Sequence, residues 1–324
     1  MDLVIVTPAR PGTQHGNRAT ALRWAGHLRA LGHRVAVQVK WDGSKRDAMI
    51  ALHARRSHES IAAWKRAHPT HGLALVLTGT DLYRDIRTDS NARASLGLAD
   101  RLVVLQAKGL QELRAAHRAK TTVIHQSART PRRREPPRGY FLVVVLGHLR
   151  DEKDPFCAAR ALAHLPEADR LRVVHLGKAM SVDAAREARM RMRADPRYHW
   201  LGEVSHPRAM RWLARSHAMV ISSRMEGGAH VVSEAIAIGV PVIASDIPGN
   251  VGLLGNAYPG YYPVGDERAL AKLIMRAQRD PAWLASLAKK VKARRALVRP
   301  AAERRALRVL VASLGTATSQ REKS

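Results

Sequence analysis

The sequence predicts an α/β protein with two doubly wound parallel sheets, each in a Rossmann-like domain of its own. Short apolar runs alternate along the chain with segments of helical periodicity, as buried parallel strands alternate with their crossover helices. This series starts twice, at Leu3 and again at Tyr140. The chain has 324 residues, which is enough for two domains of ordinary size.

The first half holds the first series of predicted strands, at residues 3–6, 34–39, 73–77, 101–105 and 122–124. Helices are predicted between them, at residues 17–31, 58–67 and 108–119. Gly32 follows the first helix and has the residue type that favours a helix C-terminus. The alternation predicts a doubly wound parallel sheet.

Residues 130–139 interrupt the pattern with prolines, charged side chains and a glycine, which is typical of an interdomain linker. The second series of strands follows at residues 140–147, 171–177, 218–222 and 241–245. We therefore predict domains at residues 1–135 and 139–300.

Composition narrows the class of protein. The net charge of +28 would suit nucleic acid, but the arginines are spread over the whole chain without interleaved aromatics, so anionic small-molecule substrates are favoured. Cys157 is the single cysteine, so no intrachain disulfide can form. No apolar run is long enough to cross a membrane, and the N-terminus lacks the basic segment of a signal peptide. We expect a cytoplasmic enzyme with no membrane or nucleic-acid partner.

The segment 223–246 carries the strongest chemical signal. Glu226 and Glu234 are separated by seven residues, and Gly227, Gly228 and Ala229 form a small-residue turn before a helix that starts near His230. Backbone N–H groups at such a turn can hold a diphosphate. A carboxylate before the turn can bind sugar hydroxyls, and one two helical turns later can reach a ribose. Together these groups describe a nucleotide-sugar donor site, and the residues predicted to bind the donor here and in the loop after residue 146 are Gly147, Gly227, Gly228, Ala229, His230 and Glu234.

The two glutamates, followed by Gly-Val-Pro-Val-Ile-Ala-Ser-Asp at residues 239–246, resemble the donor motif of GT-B glycosyltransferases of the retaining family-four type. The resemblance implies two Rossmann-like domains that face a central cleft. It also implies a last helix, at residues 301–314, that crosses back onto the first domain.

The loop after the strand at residues 140–147 would serve the leaving group. The resembled family has Gly-Arg-Leu here and then a lysine, and the Arg and Lys stabilise the departing diphosphate. Gly147 and Lys153 match this pattern, His148 replaces the Arg, and Arg150 could supply the missing charge. We predict Lys153, Arg150, Glu226 and His148 as catalytic. The alternative is a solvated loop whose charges pair with one another.

The loop after the first strand has the features of an anion site. Gly16 would approach the donor, while Arg10, Asn17 and Arg18 would bind an acceptor next to a helix N-terminus. An ordinary βα loop with Asn17 as N-cap is the alternative.

Five further residues, in two loops, extend the predicted acceptor site. Thr78, Thr80, Asp81 and Arg84 follow the strand at residues 73–77, where the resembled family has a His-Gly-Thr-Asp-like element. His125 follows the strand at residues 122–124. Thr-Asp is also a common N-cap pair, and a lone histidine is more often structural.

No cofactor or metal is predicted. The sixteen histidines are scattered and show no ligand spacing, so side-chain cations and helix termini would handle the leaving diphosphate.

A narrower resemblance, carried by residues 7–18, 77–83, 147–155 and 223–234, is to the selenosugar synthases of selenoneine biosynthesis. It implies a UDP-sugar donor, typically UDP-N-acetylglucosamine, and selenophosphate as acceptor. The product would be a 1-seleno sugar, released with UDP and phosphate. Two alternatives stay open, a conventional GT-B glycosyltransferase with a hydroxyl acceptor and a non-catalytic protein that binds nucleotide sugars or nucleic acid.

Overall fold

A computed structural model describes residues 1–12, 16–167 and 170–321. The chain divides into two compact units. The first comprises Met1–Ser127 together with the chain from Pro300 onwards, and the second comprises Ala128–Arg299.

The first unit is built on a parallel sheet of six strands in the order β2-β1-β3-β4-β5-β6. The strands are β1 (Asp2–Val6), β2 (Arg34–Gln38), β3 (Ala48–Leu52), β4 (Gly72–Leu77), β5 (Arg101–Val104) and β6 (Thr121–Val123). The helices are α1 (Gly16–Arg29), α2 (His58–Ala67), α3 (Ile86–Thr88), α4 (Ser90–Leu98), α5 (Ala115–Ala119) and α13 (Pro300–Arg321). A π-helical turn, Asp81–Asp85, precedes α3.

Strand β1 shows why this sheet is buried on both faces. Its alternate residues enter different cores, because successive side chains of a strand point to opposite faces. Leu3 packs in one core with Trp24 of α1 and Leu310 of α13. Val4 packs in the other with Trp64 of α2. Helices therefore cover both sides, as in a doubly wound fold.

The last helix is fixed to the first unit by a buried carboxylate. Glu303 of α13 accepts hydrogen bonds from Trp24 Nε1 at 2.7 Å and from Arg23 Nε at 3.0 Å, and it also binds Ser127. A Cβ at Gly72 would lie 2.7 Å from the Cβ of Leu314, so α13 packs directly on the backbone of β4. The chain thus returns to the first unit through specific contacts.

The second unit contains a parallel six-stranded sheet in the order β12-β11-β10-β7-β8-β9. Its strands are β7 (Phe141–Leu146), β8 (Leu171–Leu176), β9 (Tyr198–Trp200), β10 (Ala218–Ile221), β11 (Val242–Ser245) and β12 (Tyr261–Tyr262). Its helices are α6 (Cys157–Ala161), α7 (Val182–Ala194), α8 (His206–Arg215), α9 (His230–Ile238), α10 (Pro248–Leu254), α11 (Glu267–Arg279) and α12 (Pro281–Ala293). One continuous apolar core surrounds the sheet.

Two local expectations were wrong. Strand β3 was not predicted, although it lies inside the first sheet between β1 and β4. A single helix was expected at residues 108–119, but the chain forms a 3-10 segment, Ala107–Glu112, and then the short α5. Gln106 explains the change, because its side chain accepts from Lys108 N and stabilises the start of the tighter turn.

The segment predicted as a solvated linker belongs to the second unit. Arg134 N donates to Ala214 O at 2.9 Å, and Arg133 Nη1 donates to the same oxygen at 2.7 Å. The boundary between the units falls earlier, between Ser127 and Ala128. Within the described residues, no helix is long and apolar enough to span a bilayer.

Candidate active site

The second sheet reverses its strand order between β7 and β10. From β7 the chain progresses outward to β8 and β9, whereas β10 leads to β11 and β12 on the other side. Ligands of open α/β sheets bind outside the carboxyl ends of the strands at such a point. The loops that follow β7 and β10 carry Lys153 and Glu226, so both predicted residues lie where this topology provides a site.

Lys153 and Glu226 are in direct contact. The Lys153 ammonium bonds Glu226 Oε1, and Ser223 Oγ donates to the same oxygen at 2.7 Å. Both charged side chains keep partial solvent access, 21% for Lys153 and 13% for Glu226. The alternative was a loop whose charges pair with one another. Lys153 is indeed paired, but with Glu226 of the neighbouring loop and not with a carboxylate of its own loop.

Buried hydroxyls fix the two loops to each other. Ser222 Oγ donates to Asp154 O at 2.8 Å, which joins the loop after β10 to the loop after β7. Ser245 Oγ, at the end of β11, donates to Ser223 O at 2.6 Å. The backbone around both charged groups is thus held before any ligand arrives.

Two glycines allow close backbone approaches at the site. A Cβ on Gly249, in α10, would lie 2.1 Å from Glu226 O, and a Cβ on Gly177 would lie 1.8 Å from Gly147 O. Gly147 O also bonds His175 Nε2 at 3.0 Å. Burial lowers the pKa of His175 to about 4, so this ring is neutral at physiological pH and acts as a structural hydrogen-bonding group.

The turn formed by Gly227, Gly228 and Ala229 is buried and leads directly into α9. No described side chain caps this helix at Ala229. The positive end of the helix dipole lies at this turn, and backbone N–H groups at a helix N-terminus can bind phosphate. The helix ends at Gly239, whose φ of +89° favours glycine.

Glu234 lies on α9 and is almost fully buried. His206 Nε2 contacts Glu234 Oε1 at 2.6 Å, and His230 Nδ1 lies 3.3 Å from the same oxygen. Burial alone would raise the pKa of Glu234, but the hydrogen bonds to the two histidines outweigh it and lower the pKa to about 2. Glu234 is thus ionised and can only accept hydrogen bonds, as a ribose-binding carboxylate would.

The sequence did not point to His206 as part of this cluster. It is the first residue of α8, more than twenty residues before α9, and no spacing rule connects the two helices. A ribose would have to share Glu234 with this imidazole.

His148 and Arg150 occupy the loop after β7 with different environments. Lys178 N donates to His148 Nδ1 at 3.1 Å, so that ring nitrogen serves as an acceptor. The Nδ1 atom of His148 is thus already engaged by the backbone, and the catalytic assignment of His148 stays a prediction. Arg150 Nε is buried and has no hydrogen-bond partner among the described residues. Of the two, Arg150 is the better source of positive charge.

In the first unit, Asp81 has a structural role. It is fully buried, and its carboxylate accepts from Thr78 N at 2.9 Å, Gly79 N at 2.8 Å and Ala54 N at 3.0 Å. Its oxygens therefore fold the loop after β4 and join it to the loop after β3. We correct the assignment of Asp81 as an acceptor-binding residue for this reason.

The loops after β3 and β4 also contain a histidine contact that the sequence analysis did not predict. His53 follows β3 with a φ of +76°, an uncommon conformation for a side-chain-bearing residue, and its Nε2 bonds Thr80 Oγ1 at 3.1 Å. Recognising β3 would have placed His53 beside the reversal of strand order between β1 and β3.

The other predicted acceptor residues are more dispersed. Gly16, Asn17 and Arg18 form the first turn of α1, Arg10 lies in the loop before it, and residues 13–15 of that loop lie outside the described residues. His125 follows β6 at the far edge of the sheet. Arg84 Nε bonds Asp85 Oδ1 at 3.0 Å, so its charge is partly neutralised. The assignment of Gly16 to the donor and of the other residues to the acceptor stays a prediction.

Two parallel six-stranded sheets of this topology define the GT-B class of glycosyltransferase. Solved structures share the fold. Sucrose-phosphate synthase from Thermosynechococcus elongatus aligns with a TM-score of 0.77 over 98% of this chain and 99% of its own, at 17% identity. HepE from Anabaena, solved with UDP, has a TM-score of 0.77 over 96% of this chain and 99% of its own, at 16% identity.

Sequence comparison identifies the family. The profile of the family "Glycosyl transferases group 1" matches residues 126–296, which is more than half of the chain, and the chain belongs to this family. A relative in Xenopus tropicalis, glycosyltransferase 1 domain-containing protein 1, is 24% identical over 270 residues, covering 74% of this chain and 77% of the relative. The matched region contains β7 to α12 and therefore every donor-site residue predicted in the second unit.

Proposed function

We propose that this glycosyltransferase moves a sugar, N-acetylglucosamine, from its UDP derivative to selenophosphate. The bond between the anomeric carbon and the diphosphate oxygen breaks, and its electron pair leaves with UDP. Selenium supplies the electron pair of the new C–Se bond. Water then cleaves the Se–P bond, so that phosphate is released and a 1-seleno sugar remains.

The observation that carries the donor half of the proposal is the Lys153–Glu226 pair at the strand-order reversal, close in sequence to the start of α9. The backbone of the turn would hold the diphosphate, and Lys153 would stabilise the charge that grows on it as UDP leaves. Glu226 would then bind the sugar and Glu234 the ribose. HepE has been solved with UDP and, separately, with UDP-glucose, which supports a UDP-sugar donor for this chain.

Chemical arguments support a small anionic acceptor. Selenophosphate is strongly charged, and its selenium is already a good nucleophile, so the acceptor needs cations more than a general base. Arg10 and Arg18 in the first unit are candidate cations, and the net charge of +28 favours anionic substrates in general. The carboxylate of Asp81 is occupied by backbone amides, which agrees with an acceptor that needs no deprotonation.

The test is an assay by mass spectrometry. The protein is incubated with UDP-N-acetylglucosamine and selenophosphate, and the product is searched for the isotope pattern of selenium attached to the sugar. Parallel reactions contain a panel of alcohol acceptors in place of selenophosphate. The proposal expects UDP and a selenium-containing sugar only in the first reaction.

Other outcomes would identify the alternatives. Release of UDP with sugar attached to an alcohol would indicate a conventional glycosyltransferase and would contradict the selenium step. Saturable binding of UDP without turnover of any acceptor, or tight binding of random DNA that salt weakens, would favour a non-catalytic binding protein.

A further inference from the structure

Helix α8 presents a basic stripe on one face. Arg208, Arg211, Trp212 and Arg215 are spaced by three and four residues, so they share one side of the helix. The opposite side enters the core with the buried residues Met210, Leu213 and Ala214. The buried side chains fix the helix to the core, and the stripe lies on the other side, where Arg208 and Arg211 are exposed and Trp212 still packs partly against the core.

The stripe forms one wall of a cavity. The cavity has a volume of about 280 Å³ and is lined by Arg208, Arg211, Trp212, Arg215 and, from the segment before β7, Arg134. Backbone bonds hold that segment against the end of α8, since Arg134 N donates to Ala214 O at 2.9 Å. Two separate segments of the chain thus direct arginines into the same space.

These arginines are not neutralised. None of the four forms an ion pair with a described acidic residue, and the nearby Glu135 lies 3.8 Å from Arg138 instead. Other arginines of this unit do have carboxylate partners, for example Arg197 with Asp195 at 2.7 Å. Four like charges around one cavity repel each other, so an anion that enters it gains from all of them.

One of the four is held in a fixed orientation. The Arg215 guanidinium carbon lies 3.9 Å from the centre of the Trp212 ring, which is a cation–π contact. Arg215 Nε is buried and has no hydrogen-bond partner among the described residues. The Arg215 side chain thus adds a positively charged group to the lining of the cavity, in a position set by the Trp212 ring.

We propose that this cavity is a second anion site, separate from the donor site, and that it binds an oligophosphate. Planar guanidinium groups match phosphate oxygens two at a time, and four of them suit a ligand with several adjacent phosphoryl groups better than a single phosphate. The source is a free oligophosphate or the phosphate chain of a nucleotide. A nucleic acid would require a longer basic track and open aromatic faces, whereas the Trp212 ring is already covered by Arg215 on one side.

Calorimetry with inorganic triphosphate tests the proposal. The titration is carried out on the full chain alone and in the presence of saturating UDP. We expect saturable binding at one site that persists with UDP present. The variant R208Q/R211Q should weaken it at least about tenfold, since each exchange removes charge-assisted hydrogen bonds to phosphate.

The matched control is R189Q/R193Q, which removes two exposed arginines of α7 and changes the net charge equally. Equal losses in the two double variants would mean general charge attraction and would overturn the proposal. Binding that UDP abolishes, or that R208Q/R211Q leaves unchanged, would overturn it as well. UDP affinity is measured in both double variants as well. A protein that binds UDP but not triphosphate would contradict this proposal and leave the donor site intact.

Fluorescence gives a second readout that does not depend on the double variant. Triphosphate should change the emission of Trp212, because the Trp212 ring lines the cavity and a bound polyanion changes its electrostatic surroundings, and Trp212→Phe should remove that change. A single-stranded oligonucleotide that changes this emission at a lower concentration than triphosphate would identify a nucleic-acid interface and contradict the proposal.

Discussion

Lys153 and Glu226 lie on the loops after two adjacent parallel strands, and their side chains are in contact. The pair joins the cation expected to stabilise a leaving group to the carboxylate expected to bind a sugar. Without substrate, the Lys153 ammonium and the Glu226 carboxylate are ion-pair partners. A donor that binds between them would exchange this contact for contacts with the diphosphate and the sugar hydroxyls.

Removing the lysine should abolish most of the activity. We expect Lys153→Ala to lower turnover roughly 10²–10³-fold, because a fixed cation next to the leaving group stabilises the transition state. Steady-state UDP release measures the effect. The matched control is Lys272→Ala, which removes an exposed lysine of α11. Activity of Lys153→Ala within about threefold of the control would refute the leaving-group role.

Gly249 should tolerate no side chain. A Cβ there would lie 2.1 Å from Glu226 O, so Gly249→Ala must displace the loop that carries Glu226. We expect a large loss of donor affinity and a lower melting temperature. Gly26 of α1 is the control position, because no atom lies within 4 Å of the place that a Cβ would occupy there. Gly26→Ala should stabilise by about 0.5–1 kcal/mol. Unchanged UDP affinity in Gly249→Ala would contradict the packing argument.

The contact between His206 and Glu234 predicts a pH-dependent stability. The hydrogen bond to Glu234 raises the pKa of His206. The pair therefore stabilises the fold fully below the unfolded histidine pKa of about 6.5, and the contribution is lost as pH rises through the raised value. His206→Ala should lower the urea midpoint clearly at pH 6 and much less at pH 9.

Glu234→Gln supplies the control for that experiment, since it removes the charge that holds His206 protonated. In this background the effect of His206→Ala should lose its pH dependence. An effect of the same size at both pH values in the otherwise unchanged protein would show that the ion pair does not form.

Substitution of Glu303, the buried carboxylate of α13, tests how this helix is attached to the first unit. Burial alone would raise the pKa of Glu303, but bonds from His27, Arg23 and Ser127 outweigh it and lower the pKa to about 2. Glu303→Ala leaves buried polar partners unpaired, and we expect it to destabilise the first unit by about 3–5 kcal/mol in urea unfolding. Glu203→Ala, at an exposed position, should have little effect. Similar midpoints for both variants would exclude this anchoring role.

Much of the fold could be predicted because its signals are local. Strands such as Phe141–Leu146 are continuous apolar runs, and α2 matches the predicted residues 58–67 in full. Strand β3 escaped prediction because Ala48–Leu52 contains two alanines, which favour helix as readily as strand. Because β3 was not predicted, His53, which directly follows this strand, was not recognised as a candidate residue either.

The sequence allowed Glu226, Glu234 and the glycine turn to be selected because they lie within one βα unit, and Lys153 because its loop resembles that of the family. Their roles in the site stay predictions. The partners of these carboxylates come from distant segments, Lys153 for Glu226 and His206 for Glu234. Such pairs form through the packing of neighbouring loops and helices, which no spacing rule in the sequence encodes. Asp81 shows the reverse error, because a loop-forming carboxylate and a ligand-binding one have the same local sequence.

Calorimetric titration of UDP into the wild-type protein, Lys153→Ala and Lys272→Ala shows whether Lys153 holds the diphosphate of the donor. We expect one UDP per chain for the wild type, at least about tenfold weaker binding for Lys153→Ala, and unchanged binding for Lys272→Ala. No binding of UDP to the wild type, or equal affinity in all three proteins, would contradict this expectation.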